Sequence, residues 1–528
     1  MAEKKSETKS DFSSDSLRKS DRFRVLGLDK GDFIRYFFGS NAFVALLILA
    51  LITIFLFKEG AGFFGQYRED LTVYQRAGLQ YVDIVGEQTG DYIALKQFYD
   101  KIRNDQIAIF YKQGMEFAEV KEELADEFEF GQEFTAAGRP LERLLSRMRS
   151  VAKETKDNFY ANQSNIERRD NLIRNGQPEL AANISIIDFT EEYWRDRVAP
   201  LKAFFDEYIE VTSALESELV ALQSKVPDAT IEKFQKDVDR FRELLPQYLD
   251  TFPGYIEKLE NWKQFENVPL YKSVTAFLFG KKWLTGTAWQ EFYGIIPLFT
   301  GSFLIAVIAI GISVPFSVGA AIYVNQIATR REQNLIKPYI EFIEALPSVV
   351  LGFFGIVVFG EVLQNLLGLE QRLNAFVAGV LLALMAVPTI FTLTEDAINN
   401  VPRAFKEASF AMGATSMQTT LRVIVPTALS GIISACLLGF GRVIGETMVV
   451  LLVAGNRIKI PDLGLGPAII FEPVHTMTGI IAQELPEVVN GSLHYRALFM
   501  VGIVLFFVAL VINFLAQKIV KRFKLSAD

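Results

Sequence analysis

The sequence predicts an all-α membrane protein in which six helices cross a bilayer and a large helical domain is inserted between the first and the second. Three observations predict it. Half of the 528 residues are hydrophobic although 22% are charged, and the two kinds are segregated along the chain. Six apolar stretches reach the length needed to span a bilayer, about 20 residues at about 1.5 Å each. The polar stretch between the first two repeats its apolar residues at three- and four-residue steps, the mark of helices packed by one face.

Four regions follow in order. Residues 1–36 form a polar, basic tail, and 37–58 a first transmembrane helix. Residues 59–290 form the helical insertion, and 291–524 carry five more spans. The spans read as 38–58, 294–324, 338–362, 373–394, 427–454 and 496–518. The first lies behind a long charged tail and lacks a small-residue cleavage site, so it reads as a retained anchor and not a signal peptide. Basic residues set the orientation. Arg18, Lys19, Arg22, Arg24, Lys30 and Arg35 precede the first span, and Arg330, Arg331 and Lys337 follow the second. Arg403, Lys406 and Arg422 lie between the fourth and fifth, and Lys518, Lys521, Arg522 and Lys524 end the chain. All four clusters fall on one side, which places both termini in the cytoplasm and 59–290 outside, in the periplasm. The proline-containing stretch 461–490 reads as short helices at the outer surface.

Within the insertion, Leu141, Leu144, Leu145 and Met148, and later Leu201, Phe204, Phe205, Tyr208 and Ile209, mark amphipathic helices. The expectation is a helical bundle with a minor strand or two. It holds about eleven more acidic than basic residues, densest in Glu116–Glu133. That run reads as a solvated helix face or as a docking surface. Its field would repel an anion, so any anion capture outside the membrane falls to a separate protein.

The stretch 398–426, between the fourth and fifth spans, reads as a helix, a turn at Gly413, and a second short helix stopped before Pro426. Its pattern, Glu407-Ala408-Ser409, three residues, Gly413, nine residues, then Val423-Ile424-Val425-Pro426, resembles the EAA loop of the permeases of binding-protein-dependent importers. The resemblance implies that Glu407, Ala408, Ser409, Gly413 and Ala414 contact a separate ATPase subunit and pass its closure to the spans. Ser409 stands where the family's third position is alanine.

The fifth span contains two charges, Arg442 and Glu446, in Gly441-Arg442-Val443-Ile444-Gly445-Glu446-Thr447-Met448. A charge at the centre of a membrane helix costs about 2.5–3.5 kcal/mol on insertion scales, so the two require a reason. Spaced one turn apart they share a face and can pair, either as an internal lock on helix packing or with Arg442 on a translocation path and Glu446 tuning it. Gly431, Ala435 and Gly439 form a small-residue ridge that lets helices approach. This stretch resembles the Gly-Arg-x-x-Gly-Glu-Thr-Met segment of PstC-type phosphate permeases. Ala345-Leu346-Pro347-Ser348-Val349-Val350-Leu351-Gly352 resembles their Pro-Ser-x-x-x-Gly signature, with Pro347 kinking the third span. Gly491-Ser492-Leu493-His494 is similar to a third family segment, His494 reading as structural. The resemblance covers 275–524 well and 36–58 weakly, whereas 59–270 departs from the shorter family members.

The resemblance implies the fold of a type I importer permease and the uptake of inorganic phosphate by alternating access. Arg442, Glu446, Thr447, Pro347 and Ser348 would line the substrate pathway. It also implies a PstA-like permease partner, a PstB-like ATPase dimer and a PstS-like periplasmic phosphate-binding protein. ATP and Mg would be bound by the ATPase, with no cofactor and no enzyme activity in this chain. The residues agree with that division: there is no phosphate-binding glycine loop, only Cys436, His475 and His494 among soft metal ligands, and no feature for nucleic acid. Two alternatives stay open. The cargo could be sulfate, molybdate or phosphonate, and the insertion could serve a sensor or scaffold.

Overall fold

The computed structural model describes residues 30–524 apart from Ala288. Most of the basic tail therefore lies outside the described residues. Among these, six helices are long and apolar enough to cross a membrane: Phe37–Arg76, Ile296–Ile327, Ser348–Leu367, Ala375–Asn399, Ser416–Ile444 and Leu493–Ile519. They are called the first to sixth spans below.

The spans pack through small residues. A Cβ on Gly379 would lie 2.4 Å from Ile308 in the second span, and one on Gly439 would lie 2.5 Å from Ile390 in the fourth. Gly431 of the predicted ridge approaches Ala397 in the same way. Lipid tails are as apolar as a leucine side chain, so close backbone approach and not solvent exclusion holds such helices together. The shared core is accordingly rich in alanine, with Ala306, Ala309, Ala378, Ala383 and Ala386 all buried.

The third and fifth spans differ from expectation. The stretch 338–362 is not one helix. Arg330–Glu344 is a separate amphipathic helix started by a Thr329–Glu332 capping box, and the chain breaks at Ala345–Pro347. Pro347 does not kink a helix: it caps the start of the next one, where its missing N–H leaves no carbonyl unpaired. The third span then runs from Ser348 to Leu367 through a π-turn at Gly355–Phe359.

In the fifth span the expected stop before Pro426 is absent. Ser416–Thr419 continues through a π-turn at Thr420–Ile424 into Val425–Ile444. Proline cannot donate to the carbonyl one turn back, and the wider turn absorbs that lost bond. The helix ends at Ile444, and a short helix, Met448–Val453, resumes after Thr447. The stretch 461–490 is not confined to the surface either. Its helix Met477–Glu484 begins among the packed spans, where the Met477 N–H donates to Ser302 Oγ at 2.9 Å.

The inserted domain is a helical bundle, as its periodicity predicts. Its long members are Leu79–Lys112, Ala125–Arg174, Glu191–Gln223 and Gln235–Leu249. The second has 50 residues, so it is about 75 Å long. Leu141, Leu144, Leu145, Met148, Leu201 and Tyr208 are buried, together with Tyr92, Phe134, Trp194 and Phe241. The one sheet among the described residues is a two-residue hairpin, Trp283–Leu284 with Phe292–Tyr293. In the acidic run, Glu116 and Glu119 form a capping box, and buried Glu127 accepts hydrogen bonds from the Thr230 N–H and hydroxyl. Part of that run therefore has local structural work.

The bundle is seated on the spans through an aromatic cluster. Phe63, Tyr67, Phe277, Trp283 and Tyr293 pack with Leu298 of the second span and Ala497, Leu498 and Val501 of the sixth. Glu484 gathers three donors across this seat: Thr285 Oγ1 at 3.1 Å, Trp283 Nε1 at 3.4 Å and His494 Nε2 at 2.7 Å. His494 is thus part of the seat, in keeping with its structural reading.

Candidate functional site

Two places, one among the spans and one in the loop between the fourth and fifth, collect the residues singled out by sequence. The first lies at mid-depth. Gly431 opposes Ala397 and Gly439 opposes Ile390, so the fourth and fifth spans run antiparallel and Arg442 comes level with Thr389. Thr389 is fourteen residues from the start of Ala375–Asn399 and ten from its end, about 21 Å and about 15 Å along the axis. At that level the Arg442 guanidinium donates to the Glu344 carboxylate at 3.2 Å and to the Thr389 hydroxyl.

The expected Arg442–Glu446 pair is not formed. Pairing one turn apart requires an unbroken helix, and the helix stops at Ile444. Glu446 instead turns back to accept from the Met448 N–H at 3.2 Å, while its main-chain carbonyl accepts from Thr478 Oγ1 at 2.8 Å. Glu446 and Thr447 therefore form the linker between two helical pieces.

The break at Ala345–Pro347 sits beside this one. Glu344, which reaches Arg442, is the last residue before it, and Ser348 is the first helical residue after it. Beyond the breaks the two resumed helices pack together: a Cβ on Gly352 would lie 2.7 Å from Leu452 and 3.4 Å from the Met448 carbonyl. All five predicted pathway residues, Pro347, Ser348, Arg442, Glu446 and Thr447, thus belong to one pair of adjoining breaks. The Arg442 and Glu344 side chains keep 39% and 52% of their exposure, so the pair faces an open side of this chain.

Glu344 and Thr389 are the site residues that sequence reasoning missed. Glu344 was visible as one of three acidic residues, with Glu341 and Glu361, in the stretch read as the third span, three residues before Pro347. Its meaning depends on a partner 98 residues away.

The second place is the loop after the fourth span. Arg403–Ala411 is a helix with no buried residue. Gly413 has φ +82°, and the chain reverses there with Gly413 N–H donating to Phe410 O at 2.9 Å and Ala414 N–H to Ser409 O at 3.2 Å. Glycine suits this position because a side chain is strained at that φ. Ser409 and Thr419 hydroxyls lie 2.9 Å apart across the turn, fixing its two arms. Glu407 and Ala408 are exposed, beside exposed Phe405, Phe410, Met412 and Met417. Lys406 Nζ donates to Gln326 Oε1 at 3.2 Å at the end of the second span. Lys337, counted above among the basic residues that set the orientation, pairs with Glu395 of the fourth span at 2.5 Å.

No group of side chains that could hold a metal ion occurs among the described residues. The family model described as binding-protein-dependent transport system inner membrane component matches residues 313–525. The phosphate transport system permease protein PstC of Haemophilus influenzae is 32% identical over 46% of this chain and 82% of its own length. PstC 1 of Mycobacterium tuberculosis is 32% identical over 45% of this chain and 75% of its own. The probable ABC transporter permease protein YqgH of Bacillus subtilis is 30% identical over 43% and 72%. A solved inward-facing form of the MetNI methionine ABC transporter overlaps 44% of this chain at 22% identity and a TM-score of 0.33, too loose a likeness to build on. With six apolar helices, a broken pair of spans and these relatives, the chain belongs to the PstC-type permeases, the multi-pass inner membrane components of binding-protein-dependent ABC transport systems.

Proposed function

We propose that this chain carries inorganic phosphate inward by alternating access, driven by ATP that a separate subunit hydrolyses. The observation that carries the reading is Arg442. It is a guanidinium at mid-depth, at the junction of two helix breaks, with an open side. Discontinuous helices in transporters place substrate sites at such depths, and guanidinium offers paired donors that match phosphate oxygens. The third span begins at Ser348 beside it, so the positive end of that helix adds to the field an anion meets. Pro347 and Ser348 shape that end, while Glu446 and Thr447 hold the linker in place.

Driving force enters at the far loop. Glu407, Ala408, Ser409, Gly413 and Ala414 would dock on a PstB-like ATPase dimer, which binds the ATP and Mg. The unburied 403–411 helix and its exposed apolar residues support that contact. A PstA-like permease would close the open side of the spans, and a PstS-like protein would deliver phosphate. The basic clusters support an orientation with both termini in the cytoplasm and the bundle in the periplasm. Labelled-phosphate uptake by the reconstituted importer tests the cargo. Excess sulfate, molybdate and phosphonate should leave it unchanged, and strong competition by any of them would overturn phosphate as the substrate.

A further inference from the structure

We propose that Glu344 is a stand-in for the cargo: a carboxylate that holds Arg442 when no anion is present and is displaced when one arrives. The inference rests on Arg442 being the anion contact.

Three features of the pair point this way. Both contacts of Arg442, to Glu344 and to Thr389, run through the same nitrogen, Nη1. This is single-point bonding, not the paired fork that makes a carboxylate–guanidinium contact firm. Both partners are also partly exposed, so the bond is not sealed from an arriving ligand. A half-exposed, single-contact pair is a poor lock for packing.

The third feature is the mounting of Glu344. It is the last residue of Arg330–Glu344, a helix without a buried residue, and Ala345–Pro347 follows as a break. Lys337 ties that helix to Glu395, and Ile336 and Ile340 pack it against Ala321, Val324 and Phe391, whereas its Glu344 end meets the fifth span through the Arg442 contact. Removing the carboxylate from Arg442 therefore requires no disruption of a packed core.

Two anions cannot share one guanidinium without like-charge repulsion, so phosphate and Glu344 compete. A dianion brings more charge and more acceptor oxygens than a carboxylate and wins when present at sufficient concentration. When it leaves, Glu344 returns and keeps Arg442 from standing unpaired in the spans. This would set the affinity at the crossing low enough for release.

The test is equilibrium titration of inorganic phosphate into the assembled importer without its delivery protein. If Arg442 is free about a tenth of the time, Glu344→Gln should tighten phosphate binding about tenfold, since apparent affinity scales with the competent fraction. Glu344→Asp, a carboxylate one methylene shorter, should tighten it by less. Unchanged or weakened binding in an assembled Glu344→Gln importer would overturn the proposal, and so would failure of both variants to assemble, which would make the pair structural. Arg442→Gln separates the two levels. If it binds phosphate as the unaltered importer does, the reading of Arg442 falls. If it loses binding while Glu344→Gln does not tighten it, only the role of Glu344 falls.

Discussion

The inserted bundle and the membrane core are both helical, yet they are built on opposite rules. In the bundle the buried side chains are large: Trp194, Tyr92, Tyr208, Phe134 and Phe241 are each at most 2% exposed. Water surrounds it, and removing large apolar surface from water is what holds it together. In the spans the shared core mixes many alanines with Ile, Leu and Val and, among the described residues, holds no buried aromatic, and large apolar groups such as Phe303, Phe316, Phe353 and Leu366 point outward. Charges follow the same division. The bundle carries exposed surface pairs such as Arg147–Glu207 and Lys225–Glu133. In the spans the charges are few: Arg442 has a carboxylate partner in Glu344, and Glu395 is met by Lys337 of the adjoining helix. The lesson is that a charge in the bundle is ordinary, whereas a charge at mid-depth in the spans is rare and is met by a carboxylate.

Substitutions that exchange the two rules should expose them. The largest effect is expected from Gly439→Leu, because even a Cβ there lies 2.5 Å from Ile390. No assembled chain should be recovered from the membrane, and a normal yield would show that the fourth and fifth spans do not pack as described. Next is Phe241→Ala in the bundle, where loss of a buried aromatic should cost about 3–5 kcal/mol. Hydrogen exchange should show lost protection in 79–249 with the spans unchanged. Equal loss in the spans would mean that the two regions are not separately held.

A smaller effect is expected at Asp83, on the first long helix of the bundle. Burial raises the Asp83 carboxyl above its ordinary range, although Tyr74 and Trp289 donate to it. The folded state therefore binds its proton more tightly than the unfolded one does. Sign follows from that: the bundle should gain stability as pH falls from neutral through the raised range, and lose that gain as pH rises again. Asp83→Asn should flatten the thermal-unfolding profile across this range, and an unchanged profile would count against the assignment.

The sequence made the spans legible because an apolar run of sufficient length has few other uses, and the bundle legible through its three- and four-residue steps. Gly413 was legible for a similar reason: a glycine between two helical patterns has a local conformational meaning. The helix breaks were not. Pro347 is compatible with a kink or a start, and which occurs depends on whether the preceding residues continue the helix. The same uncertainty at Gly445 turned an expected Arg442–Glu446 pair into two unrelated contacts. Glu344 and Thr389 reach Arg442 from 98 and 53 residues away, distances at which periodicity says nothing. The spans were thus readable from local chemistry and their role from the family resemblance, while the partner of Arg442 required the fold.

The central claim is that Arg442 meets the anion in the middle of the membrane, and Arg442→Gln tests it most directly. Labelled-phosphate uptake would be measured in vesicles containing the complete importer, with assembly verified in the same preparation. The account predicts an assembled complex whose uptake is abolished. Uptake at the unaltered rate would contradict it.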